Sequence, residues 1–159
     1  MSKSKSISNR LREVLVDGRW IANTNIKEQI ESVTWEQAND KIGDHNSIAQ
    51  LTFHINYFLS GILNVLKGGD LEIRDKYSFA MAPIRSEEEW LNLVEDYLSN
   101  AYEFIEHVEM MKDEKLDEIF VKELYGTYER NIEGQIEHGY YHLGQIVLIK
   151  KLLQFDVRK

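Results

Sequence analysis

"NSIAQLTFHINYFLSGILNVL", Asn46 to Leu66, is the clearest helix in the chain and the stretch from which the fold is read. Its apolar positions Ile48, Leu51, Ile55, Phe58, Leu59, Ile62 and Val65 recur at three and four, the repeat of one helix face. Lys67, Gly68 and Gly69 then supply a cationic end and a permissive stop. Leu51, His54, Phe58 and Ile62 form one ridge, so this helix aims an imidazole at the core.

Three further segments read as helices. At "PIRSEEEW" Ser86 can cap and Glu89 can return the bond in a capping box, with the helix continuing through Trp90, Val94, Tyr97 and Ala101 to about Val108. The last helix runs from about Tyr128 to Leu153, with Ile132, Ile136, Leu143, Ile146 and Ile149 on its buried side. The first, about Ile7 to Ser32, is expected to break or kink near Asp17 and Gly18. One proline and the lack of β-branched alternation agree with an all-α chain. Four long helices in a single domain spanning residues 1–159 imply a four-helix bundle. The connection "KGGDLEIRDKYSFAMAPIR" is too long for a tight hairpin; it can cross the bundle, leaving the second and third helices parallel, and cover one end of a site.

Composition narrows the function. Nineteen Lys and Arg against 27 Asp and Glu give a net charge of −8 with no basic cluster, which argues against nucleic acid or an anionic membrane surface as partner. The absence of cysteine excludes a disulfide, a thiolate ligand or a cysteine nucleophile, leaving imidazole, carboxylate or water for any metal. No segment has the roughly 18 uncharged apolar residues of a membrane span, and no signal-peptide run follows the early lysines. The expectation is an unexported, cytoplasmic protein.

Two of the five histidines, His138 and His142, sit inside "IEHGYYHLGQI". On a helix they lie within about 40° of each other and roughly 6 Å apart along the axis, on the face directed at the core. Both rings can reach one ion. With His54 they make three inward imidazoles from two helices, which is what an open catalytic zinc-type site requires. The same rings can equally be core histidines bonded to carbonyls, tyrosines or carboxylates, and spacing does not choose between these readings. The zinc-protease pattern is absent, because Gly139 follows His138 and Glu137 is turned away from it. His45, beside Asp44 and Asn46, reads as part of a helix-start cluster, and His107 as an ordinary half-exposed imidazole. Gly134, Gly139 and Gly144 recur along the last helix, for close helix approach or for ligand room. Gln135, Gln145, Glu133 or backbone carbonyls are the candidates to hold the histidines' free ring nitrogens.

In "SIAQLTFHINYFL" and "HGYYHLGQIVLIKKLL" the chain resembles the DinB-like (DinB/YfiT) superfamily of small metalloproteins over nearly its full length. The family's ligand triad falls on His54, His138 and His142, all histidine here. The resemblance implies an up-down-down-up four-helix bundle, one divalent metal, commonly nickel or zinc, and a homodimer. It also implies metal-dependent hydrolase or thiol S-transferase chemistry, the latter with a low-molecular-weight thiol cosubstrate. No catalytic residue beyond the ligands is assigned, and the small-molecule substrate is unnamed. The rival reading is a non-catalytic dimeric helical-bundle binding protein with a structural or vestigial metal site.

Overall fold

Ser47, not Asn46, opens the central helix. Its hydroxyl accepts from the Gln50 amide while the Gln50 side chain accepts from the Ser47 amide, a reciprocal cap that starts α4, Ile48–Leu66. The computed structural model describes residues 1–153, so the last six residues of the expected domain lie outside it. Among the described residues it is all-helical, with seven α-helices and no strand.

The box expected at Ser86 is displaced. Ser86 caps α5, Glu87–Glu109, by accepting from the Glu89 amide, but the Glu89 carboxylate takes the amide of Arg85 instead of that of Ser86. The backbone explains it: Ser86 has φ −153, whereas Ser47 has φ −76, so the Ser86 N–H is turned away from the returning side chain. Thr34 and Gln37 make a further box, opening the short α3, Trp35–Asn39.

The expected first helix is three pieces. α1, Lys3–Arg12, begins earlier than the apolar pattern indicates, because Ser2 caps it, and it widens into a π-helical turn over Glu13–Asp17. Gly18 closes that turn, its N–H donating to the Glu13 carbonyl at 3.2 Å, and a side chain there would collide with Glu13. The chain leaves the helix at Gly18, the anticipated break, and Asn25 restarts it as α2, Ile26–Glu31, by accepting from the Glu28 amide. The short α6, Asp113–Leu116, and the long α7, Tyr128–Leu152, complete the set, Thr127 capping α7.

The four longest helices close a ring of contacts: α4 packs on α5, α5 on α1, α1 on α7 and α7 on α4. Inside the ring Leu11, Ile48, Phe104 and Ile132 are fully buried in one continuous core. Tyr97 is also fully buried, and its hydroxyl donates to the Leu15 carbonyl at 2.8 Å, satisfying a backbone acceptor in the π-turn. Lys150 of α7, buried to 4% exposure, donates to Gln29 Oε1 and Ser32 Oγ, tying α2 to α7.

Residues 67–86 follow a path from α4 to α5 that residues of α3 and α4 hold at several places. Ile73 packs where Gly61 of α4 has no side chain, and a Cβ there would overlap it. The Tyr57 hydroxyl donates to the Arg74 carbonyl and accepts from the Arg74 amide. At the far end the Asn39 amide pairs in both directions with the backbone of Ile84. Between these points the segment lies over His54.

Candidate metal centre

α4 brings His54 to the interior at 8% exposure, and α7 brings His142 at 6% with His138 half-buried beside it. Their Nε2 atoms converge: His138 Nε2 stands 3.0 Å from His54 Nε2 and 3.0 Å from His142 Nε2. Among the described residues these three are the group of potential ligands placed to hold one ion.

The outer nitrogens decide the protonation inside. His54 Nδ1 faces the Ser78 carbonyl at 3.3 Å, and a carbonyl only accepts, so the proton sits on Nδ1 and Nε2 is a bare lone pair. His142 Nδ1 donates in the same way to Gln145 Oε1 at 2.6 Å, leaving its Nε2 bare as well. A neutral His138 has at most one proton to offer these two acceptors. Three nitrogens therefore face one another with too few hydrogens to pair them, in a buried place where unpaired polar atoms are costly. One cation satisfies all of them. Tetrahedral bonds of about 2.1 Å would set two nitrogens about 3.4 Å apart, so the observed 3.0 Å is within a few tenths of an ångström of what one shared ion would need.

The surroundings hold the rings neutral, the form that binds metal. Burial, reinforced by His142 and opposed by the Ser78 carbonyl, lowers His54 to about 4. Burial and the two neighbouring histidines lower His138 to about 3, and burial also lowers His142, against the pull of Gln145. Aromatic walls fix the rings: Phe79 stacks on His54 with centroids 4.0 Å apart and planes within 5°, while Phe58 meets His54 and His138 edge-on. Tyr141 packs against the outer side of His142.

A family model described as the DinB superfamily matches residues 23–146. The chain belongs to this superfamily. The DinB match takes in α2 to most of α7, and with them all three histidines and the connection over His54; α1 lies outside it. No curated protein and no solved structure matches the chain.

Of the side chains that the sequence offers as supports in this DinB protein, Gln145 holds one of the three histidines and the others do not. Glu133 is ion-paired with Arg10, Gln135 faces a cavity beside His138, and Glu137 is exposed and paired with Arg130. His45 is exposed and Ser47 takes the cap; His107 stands 3.9 Å from Glu103, away from the cluster. Gly139 answers to close packing, since a Cβ there would lie 2.9 Å from Val14 Cγ2, whereas Gly144 faces open space. Ser78 and Phe79 are the residues at the cluster that sequence reasoning missed. Nothing in "KYSFAM" distinguishes them until the connection folds over His54.

Proposed function

We propose that the chain is a metal-dependent enzyme in which His54, His138 and His142 hold one divalent ion through Nε2. The observation that carries this is the proton count: two of the three converging nitrogens are bare because their rings donate from Nδ1 to Ser78 and Gln145. The three-histidine cluster and DinB membership both favour a divalent ion. All-nitrogen ligation suits zinc, nickel, iron or copper alike, and the family resemblance favours nickel or zinc among them.

A divalent ion bound there supplies Lewis acidity and a lowered pKa for a nucleophile, as hydrolysis or thiol S-transfer requires. The chain's own residues orient and exclude. Ser78 and Gln145 lock the ring tautomers, and Phe58 and Phe79 keep water from the inner sides of the rings. Glu137, exposed and paired with Arg130, is not placed as a general base. A reaction of a small thiol, which needs no carboxylate base once the thiol is ionised, fits this surround better than one relying on a protein base.

The full reading includes one domain over residues 1–159 and the up-down-down-up order. That order is supported by the ring of helix contacts and by the long path of residues 67–86. A homodimer belongs to it through the family resemblance, and a cytoplasmic location through the lack of a signal-peptide run in the sequence; no helix among the described residues is long and apolar enough to cross a membrane.

Metal content of tag-free protein, measured by mass spectrometry beside folded His54→Ala and His142→Ala variants, tests the core of the proposal. Near one divalent ion per chain, lost in both variants, is expected. No uptake, even after incubation with nickel or zinc, refutes it. In the cobalt-loaded protein, imidazole or a small thiol perturbs the spectrum if a coordination position is open; a spectrum that neither alters assigns the ion to stability alone.

A further inference from the structure

Beside the three histidines lies a groove of about 360 Å³, walled by Phe58, Tyr125, Arg130, Gly134, Gln135 and His138, with Asn131 at its edge. His138 is the one member of the triad on that wall, so through it the groove borders the site. Arg130, Gly134 and His138 follow one another at four-residue steps and share a face of α7.

The Arg130 side chain runs forward along this face. Its Nη1 comes within 3.9 Å of the place a Cβ on Gly134 would take, and it donates to Glu137 Oε2 at 3.1 Å. The guanidinium thereby lies in the turn next to His138, although the two Cα atoms are about 12 Å apart along the axis. It is the one cationic side chain among the lining residues, and no carboxylate lines the groove. The bond to Glu137 engages Nη1, and both partners of that pair are more than half exposed, so it exchanges readily. The Asn131 amide is committed to the carbonyls of Tyr125 and Thr127. The Gln135 side chain, by contrast, makes no hydrogen bond among the described residues, and its amide is open to a ligand.

We propose that this groove binds a small substrate through an anionic group, carboxylate-like in chemistry, held by Arg130 with Gln135 beside it, while the reacting end reaches the histidine triad. The inference rests on the metalloenzyme reading and adds the substrate class to it. A planar guanidinium with several N–H donors suits a carboxylate's two oxygens, and the acidic molecule as a whole offers no rival cation on this groove.

The test uses cobalt-loaded full-length protein and a series of terminal mercaptoalkanoic acids, from propionic to hexanoic, against mercaptoalcohols of equal length. Dissociation constants are read from the cobalt spectrum. At the best length the acid binds about tenfold more tightly than the alcohol. Arg130→Met abolishes that preference, and Glu137→Gln widens it, because the internal carboxylate no longer competes. Equal binding of acid and alcohol, or a preference that survives Arg130→Met, overturns the inference and leaves the metal site standing. A protein that takes up no cobalt, or whose spectrum no thiol perturbs, overturns the metalloenzyme reading and this inference with it.

Discussion

Gln145 stands three residues after His142 and holds its Nδ1 at 2.6 Å, a short bond that fixes both the tautomer and the direction of the ring. Replacing it by Ala leaves the fold intact and weakens metal affinity by about 10- to 100-fold, the usual consequence of losing such a support. A competition titration with a chromophoric chelator reads this, and unchanged affinity refutes the role given to Gln145. The histidines also predict acid sensitivity in the metal-free protein. His54 and His138 are lowered from 6.5 to about 4 and about 3, so as pH falls below about 6.5 the unfolded chain binds protons that the folded chain does not. Stability is therefore full above that value and declines toward pH 4. Denaturant midpoints across this range should fall with pH, and less steeply in His138→Gln. The histidine spacing on α7 was legible because it is local: a helix of 3.6 residues per turn places His138 and His142 together whatever surrounds them.

At the level of elements the connection over residues 67–86 depends on a gap in α4. Gly61→Ala inserts a methyl where Ile73 packs, at a cost of about 1–3 kcal/mol as overpacking generally brings. Because the same segment carries Ser78 and Phe79 onto His54, metal affinity should drop along with the melting temperature. A variant that loses stability but keeps full affinity shows the two ends of the segment to be independent. Tyr97→Phe probes the π-turn: the buried Leu15 carbonyl loses its donor, which costs about 1–3 kcal/mol in urea unfolding. That turn explains why the first helix was only partly legible. Gly18 marked the break, yet the sequence carries no periodic sign of a wider turn, which a tyrosine hydroxyl from α5 accommodates.

For the molecule as a whole, an ion that binds the folded chain and not the unfolded one raises stability by mass action. At free metal 100 times the dissociation constant the gain is about 2.7 kcal/mol. Nickel or zinc should raise the thermal midpoint of the parent and leave that of His142→Ala unmoved; equal shifts in both point to binding elsewhere. From the sequence alone came the all-helical class, the extent of α4, α5 and α7, and the three inward histidines. These follow from hydrogen bonds and side-chain periodicity within a few residues, and they persist in any packing that buries the same faces. Tertiary structure decided which groups complete the centre. Ser78 meets His54 across 24 residues, and Phe79 stacks on the same ring, through a path set by Gly61, Tyr57 and Asn39. An irregular segment has no repeat from which to read its direction, so its contacts exist only once the helices it bridges have packed.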